Sequence, residues 1–156
     1  MIDLDIDDKI VPEEKLALIT KIGPPEMIGV LIEDIAYWAG ANKVKITGPP
    51  FAIYYSNPQS VPPEEFKYDV GFPIEGEVSG SDKIMIVTIP EHRVVYAVHK
   101  GPYSTISQVY NSMVEFVLAN NYDVIGSPKE IYFNSPEEVP ASELLTEIQF
   151  PVIKMG

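Results

Sequence analysis

The sequence predicts an α+β fold made of two tandem strand-helix-strand-strand modules, with an antiparallel sheet and both helices on one face. Two observations support this class. Glycine and proline residues recur at a fixed spacing along the chain. In each half, the apolar residues alternate as in a strand, then follow the spacing of a helix, and then alternate again. A chain of 156 residues can bury a stable core as one domain. We therefore expect a single domain over 1–156, with internal repeats at about 2–75 and 80–154.

Turn residues recur with an offset of 78 positions along the chain. Glycine and proline dominate the matches, and these residues fix turns, so the pattern indicates one backbone design used twice. The matched pairs are Gly23-Pro24 with Gly101-Pro102, Ile53-Tyr54 with Ile131-Tyr132, and Phe72-Pro73 with Phe150-Pro151.

Alternation and helical spacing then predict the elements of each half. In the first half we expect strands at 2–10, 15–22, 51–56 and 68–74, and a helix from about Ile28 to Ala39, ended by Gly40 and Asn42. In the second half we expect strands at 84–89, 93–100, 129–134 and 145–153, and a helix over 106–118. Because 84–89 is apolar on both faces, it is predicted to be a central strand.

Composition excludes several classes of function. There is no cysteine, and two histidines make a zinc or iron site improbable, so we expect no metal and no cofactor. The net charge of −12 argues against direct binding of nucleic acid, which needs a basic face. No signal peptide or membrane-spanning run is evident, so a cytoplasmic protein without a membrane partner is expected.

Glu147 is the first candidate binding residue. It alternates with Ile148, Phe150 and Val152, which are expected to face a helix, so Glu147 is expected on the opposite, open face of the sheet. A carboxylate removed from water there would need a partner, such as an apolar cation. A solvated surface glutamate is the alternative, and alternation alone favours it.

Three tyrosines are weaker candidates. By alternation, Tyr132 opposes Ile131 and Phe133, and Tyr54 opposes Ile53, so both would lie on the open face. Tyr103 follows Gly101-Pro102 and could form a rim or pack under the helix. Tyrosine combines apolar contact with a polar tip, which suits an adaptable pocket, although surface positions are equally compatible with the pattern.

The motif series resembles the GyrI-like small-molecule-binding domain, also called the bacterial transcription-activator effector-binding domain. The resemblance lies in residues 53–58, 68–74, 98–103, 131–136 and 146–152, and covers nearly the whole chain. It implies two modules related by a pseudo-twofold axis, with a central groove between them that holds small, largely apolar and often cationic molecules. It also implies that Glu147 lies in this groove, with Asp69 as its counterpart in the first half. Asp69 lies near Gly71 in the sequence, and the missing side chain of this glycine could leave room for a ligand.

The resulting expectation is a stand-alone small-molecule-binding protein whose ligand contacts include Glu147, Tyr132, Tyr54, Tyr103 and Asp69. Two alternatives stay open from the resemblance. One is a hydrolase of strained cyclopropane-type electrophiles with Glu147 as the base. The other is a protein-interaction module, such as a DNA gyrase inhibitor, whose protein partner is unknown.

Overall fold

The computed structural model describes residues 5–57 and 60–155, which form two compact units. Of the described residues, the first unit takes those between Glu13 and Pro90, and the second unit combines those up to Pro12 with those from Glu91 onward. Each unit is an antiparallel sheet with one α-helix. The predicted α+β class is confirmed.

The first unit has the sheet order β4-β5-β2-β6, and the short strand β3 also pairs with β5. Its central strands β2 and β5 pair over eight residues, from Lys15 opposite Ile74 to Ile22 opposite Lys67. Its elements are β2 (Glu14–Ile22), α1 (Ile28–Ala41), β3 (Lys45–Ile46), β4 (Phe51–Tyr54), β5 (Lys67–Glu75) and β6 (Met85–Ile89).

The second unit has the sheet order β1-β7-β10-β9, and the short strand β8 also pairs with β10. β10 is buried along most of its length, as the central strand of a covered sheet is. The elements are β1 (Asp7–Val11), β7 (His92–Lys100), α2 (Ile106–Ala119), β8 (Tyr122–Val124), β9 (Lys129–Tyr132) and β10 (Leu145–Lys154). Residues 2–4 of the predicted first strand lie outside the described residues.

The compact units divide the chain differently from the predicted repeats. β1 precedes the first helix in sequence but pairs with β7 of the second unit, and β6 follows the linker but pairs with β2 of the first unit. The prediction that 84–89 is a central strand is wrong. β6 ends the sheet order of the first unit, and Met85 is exposed.

Each unit contains an equivalent turn that is closed by a backbone hydrogen bond. The Gly23 amide donates to the Phe66 carbonyl at 2.9 Å, and 78 residues later the Gly101 amide donates to the Leu144 carbonyl at 2.8 Å. Both glycines have positive φ, 157° and 138°, and the value at Gly101 lies well inside the region that favours glycine. The backbone conformation of these two turns therefore explains why a glycine recurs at both positions.

The core of the second unit lies between α2 and one face of its sheet. Val109, Met113 and Val117 of α2 pack against the side chains of β7 and β10. The strand residues in this cluster are Val95, Ala97, Ile148, Phe150 and Val152. The predicted orientation of β10 is confirmed, since its apolar residues face the helix. Within the described ranges, no helix is long and apolar enough to span a membrane.

Candidate functional site

Glu147 is a buried carboxylate on the sheet face opposite α2. Ile148 and Phe150 belong to the core beneath α2, so the alternation of β10 turns Glu147 to the other side. Only 6% of the residue is exposed, so the alternative interpretation as a solvated surface glutamate is wrong. Burying a carboxylate is costly unless it is paired, and its partners therefore matter.

Two donors converge on one oxygen of this carboxylate. The Lys9 ammonium lies 2.8 Å from Glu147 Oε2, and the Gln149 amide donates to the same oxygen at 2.6 Å. Lys9 comes from β1, 138 residues earlier in the chain. No hydrogen bond to Oε1 is made by the residues that the structure describes. The pair is asymmetric, because the Lys9 side chain is 38% exposed and that of Glu147 is 8% exposed.

Tyr96 completes this cluster. Residues directly opposite each other in an antiparallel pair share a face. Gln149 lies opposite Tyr96, and the Lys9 ammonium is 4.1 Å from the centre of the Tyr96 ring. This distance is well within the range of a cation–π contact. We call the surface formed by Lys9, Tyr96, Val98, Glu147 and Gln149 the Glu147 face.

The predicted position of Tyr132 is wrong. Tyr132 lies opposite Thr146 and Glu130 lies opposite Ile148, so both share the face that α2 covers. Ile131, which was expected in the core, lies opposite Glu147. The one aliphatic residue of β9, Ile131, therefore lies on the Glu147 face and not on the helix face.

Tyr132 belongs instead to a polar cluster around Glu130. The Tyr110 hydroxyl donates to Glu130 Oε2 at 2.5 Å, and the Tyr132 hydroxyl donates to Oε1 at 3.0 Å. The Tyr103 ring meets the Tyr132 ring edge-on, with centroids 6.0 Å apart. Burial, and secondarily the negative charge of Glu130, raise the pKa of the Tyr103 hydroxyl. Tyr103 is thus held by an aromatic contact while 39% of it stays exposed.

Asp69 is the buried carboxylate of the first unit, and hydroxyl groups satisfy it. The Thr20 hydroxyl donates to Oδ1 at 2.6 Å, and the Tyr55 hydroxyl donates to Oδ2. Only 5% of Asp69 is exposed. Burial, followed by the hydrogen bond to Asp69 and its charge, raises the pKa of Tyr55 far above its ordinary value. Unlike Glu147, Asp69 has no lysine within salt-bridge distance among the described residues.

Tyr54 does not lie beside Asp69. It lies opposite Tyr68, whereas Asp69 lies opposite Ile53, so the expected open-face position of Tyr54 is wrong. Its ring packs 5.8 Å from the ring of Phe66 and 6.4 Å from that of Tyr68. The tyrosine is part of an aromatic cluster on the other face of the first unit.

The space over Gly71 is filled and not open. A side-chain carbon placed there would meet the Ala17 carbonyl at 2.4 Å and the Phe51 ring at 2.9 Å. Phe51 lies directly opposite Gly71 and is 1% exposed. The glycine therefore admits a neighbouring ring, and the prediction of room for a ligand at this position is wrong.

A separate ion pair anchors β1 in the second unit. Arg93 Nη1 donates to Asp8 Oδ2 at 2.6 Å. A hydrogen bond from the Tyr122 hydroxyl, and then the Arg93 guanidinium, hold the pKa of Asp8 below its usual value against a smaller effect of burial. These contacts fix the strand that carries Lys9.

Sequence analysis identified only Glu147 among the five members of the Glu147 face. Gln149 could have been found, because period-two alternation puts it beside Glu147. The same alternation applies to Tyr96, because Val95 and Ala97 face α2 and Tyr96 therefore faces the other way. No pattern in the sequence around Lys9 indicates that it contacts Glu147, which is 138 residues away. Among the described residues, no group of three potential metal ligands comes together.

Comparison with protein families identifies the chain. The model of the GyrI-like small molecule binding domain matches residues 8–153. The protein belongs to this GyrI-like family. The matched range includes Glu147, so its buried carboxylate lies within the small-molecule-binding domain.

Solved structures share the fold at low sequence identity. The crystal structure of the EcmrR C-terminal domain matches with a TM-score of 0.87 and 24% identity, over 99% of this chain and 100% of that one. In the EcmrR–DNA complex the match, with a TM-score of 0.85 and 23% identity, covers 97% of this chain but 58% of the longer EcmrR chain.

Two further neighbours extend the range of proteins with this GyrI-like fold. A hydrolase encoded by lin2189 from Listeria innocua matches with a TM-score of 0.75 and 16% identity, over 95% of this chain and 91% of that one. SAV2435, solved with bound tetraphenylphosphonium, matches with a TM-score of 0.60 and 11% identity, over 97% and 94%. At these identities the likeness shows a common fold.

Proposed function

We propose that this GyrI-like domain captures hydrophobic cations, and that the Glu147 face is where the positive charge of the ligand binds. The observation that carries the proposal is the contact set of Lys9. Its ammonium is paired with a buried carboxylate at 2.8 Å and lies 4.1 Å above the centre of a tyrosine ring. The face thus combines the two groups that recognise an apolar cation, a desolvated anion and an aromatic surface.

The energetic basis is the cost of burying Glu147. A buried carboxylate gains from a cation much more than an exposed one does, because water competes less for its charge. Stacking on Tyr96 adds about 0.5–2 kcal/mol for a desolvated cation. Apolar contact with Val98 and Ile131, which share this face, supplements both terms. Micromolar affinity, about −8 kcal/mol, is within reach of such a site.

We further propose supporting roles for the other predicted residues. Tyr103 and Tyr132 form an edge-to-face pair, and the exposed part of Tyr103 can contact apolar parts of a ligand. Tyr54 and Asp69 lie on different faces of the first unit, so each would contact a ligand on its own face. Tetraphenylphosphonium bound to SAV2435 supports a cation as the ligand class.

The hydrolase alternative uses the same carboxylate in a different role. A general base needs a free oxygen directed at the attacking water. Hydrogen bonds from Lys9 and Gln149 occupy Oε2, and only 8% of the side chain is exposed to water, so the contacts favour holding a cation over activating a water molecule. Incubation with a strained cyclopropane-containing electrophile tests it. Turnover above buffer that Glu147→Gln abolishes would replace the binding proposal.

Isothermal calorimetry with tetraphenylphosphonium tests the proposed function. Glu147→Gln keeps the shape of the side chain but removes its charge, and we expect binding to weaken by tenfold or more. Glu75→Gln is the matched control, because Glu75 is a strand glutamate whose side chain is 56% exposed and paired with Lys45. Equal affinities of wild type and Glu147→Gln would contradict the proposal.

A further inference from the structure

We propose that Lys9 is a built-in competitor for the cation site, and that its displacement determines which cations this protein accepts. The inference rests on the proposed function and adds a specificity-determining residue to it. A ligand cation needs the Glu147 carboxylate and the Tyr96 ring, and the ammonium of Lys9 contacts both. The chain therefore occupies its own cation site.

The register of β1 places Lys9 over this site. Lys9 lies opposite Val94 and Asp7 lies opposite Tyr96, so Lys9 and Tyr96 project from the same face of neighbouring strands. The Arg93–Asp8 ion pair anchors the strand on which Lys9 stands. The backbone pairing thus fixes the point from which the Lys9 side chain reaches the cation site.

Lys9 can leave the site, and Glu147 cannot. The lysine side chain is 38% exposed, has four flexible methylene groups and comes from the edge strand β1. Swinging it outward returns its charge to water at little cost. Glu147 is 8% exposed on the central strand β10 and stays buried. The site therefore exchanges one cation for another and is not left with an unpaired buried charge.

The tethered lysine discriminates between classes of cation. An intramolecular group competes at an effective concentration in the millimolar range, so a small amine gains nothing over Lys9. A bulky aromatic cation gains additional apolar burial that the lysine stem does not match. Its apparent affinity equals the intrinsic affinity multiplied by the fraction of molecules in which Lys9 has moved away. The inferred ligand class is therefore a delocalised, aromatic monocation.

Charge-matched probes of equal size test this inference. Tetraphenylphosphonium and the isosteric anion tetraphenylborate are titrated by calorimetry into wild type, Lys9→Met and Lys9→Gln. Both Lys9 variants should bind the phosphonium about tenfold more tightly, as expected when a competing ion pair of this exposure is removed. The borate should not bind them more tightly. Lys154→Met is the control, because Lys154 lies 5.3 Å from the Tyr122 ring centre without contacting Glu147.

The outcomes separate this inference from the function on which it rests. If wild type binds the phosphonium and both Lys9 variants bind it equally or more weakly, the competitor role is wrong and the binding function stands. If neither wild type nor the Lys9 variants bind it, both proposals fail. A gain for cation and anion alike would mean that Lys9 only fills space, which also overturns the competitor role.

A measurement on the wild-type protein covers the case in which the variants do not fold. Selective ¹³C labelling of lysine gives a resonance for Lys9 Cε that reports the surroundings of its ammonium. On saturation with tetraphenylphosphonium this resonance should move to the position of an exposed lysine, while that of Lys45, 73% exposed, stays in place. An unchanged Lys9 resonance in the saturated complex would overturn the inference.

Discussion

The ion pair between Lys9 and Glu147 allows a quantitative prediction about stability. Exposed ion pairs contribute about 0–1 kcal/mol, and breaking a fully buried pair costs about 3–5 kcal/mol. With side chains 38% and 8% exposed, this pair lies between those limits. We expect a coupling free energy of about 2 kcal/mol between Lys9→Met and Glu147→Gln, measured as a double-mutant cycle of the free energy of unfolding in urea.

The two single substitutions should differ in a defined direction. Lys9→Met leaves the negative charge of Glu147 buried with only the Gln149 amide as a donor, whereas Glu147→Gln leaves a lysine that can turn to water. We therefore expect Lys9→Met to cost more, at about 2–3 kcal/mol against about 1–2 kcal/mol for Glu147→Gln.

An exposed pair provides the control for this cycle. Lys45 and Glu75 are 2.9 Å apart, with side chains 73% and 56% exposed, and their coupling should be below about 0.5 kcal/mol. The reasoning would be refuted if the coupling of Lys9 with Glu147 were equally small. It would also be refuted if Glu147→Gln destabilised the protein more than Lys9→Met does.

Three further predictions concern other parts of the fold. Gly71→Ala should destabilise by about 3 kcal/mol or more in urea unfolding, because its side-chain carbon would meet backbone at 2.4 Å, whereas Gly29→Ala in α1 meets nothing within 4 Å and should stabilise by about 0.5–1 kcal/mol. Tyr55→Phe should cost about 1–2 kcal/mol at pH 7, because it removes a hydroxyl donor from a buried carboxylate; no loss in thermal unfolding would contradict this. The lowered pKa of Asp8 adds stability that is present above about pH 4 and lost as the pH falls through the folded-state value, so Asp8→Asn should flatten the stability profile below about pH 4.

Long periodic segments were predictable because their patterns are redundant. The helix over 106–118 was observed at Ile106–Ala119, and the strand at 145–153 was observed at Leu145–Lys154. In such elements, the apolar spacing repeats over several helical turns or several strand alternations, and every repeat indicates the same secondary structure. The strands at Lys45–Ile46 and Tyr122–Val124 have two and three residues, too few to show any period.

The candidate site was predictable only in part, because faces in short strands depend on their neighbours. In β9, the four residues Lys129–Tyr132 could be oriented either way from their own composition. Pairing with β10 decides the matter by placing Ile131 opposite Glu147. The lysine that neutralises Glu147 is 138 residues away in sequence, and no pattern within one strand reports such a contact.

A crystal structure of the protein with tetraphenylphosphonium tests the central claim most directly. The account predicts the phosphonium centre about 4–6 Å from the Glu147 carboxylate, an aromatic contact with Tyr96, and a Lys9 ammonium moved away from Oε2. A complex with the ligand bound elsewhere and the 2.8 Å contact between Lys9 and Glu147 intact would contradict it.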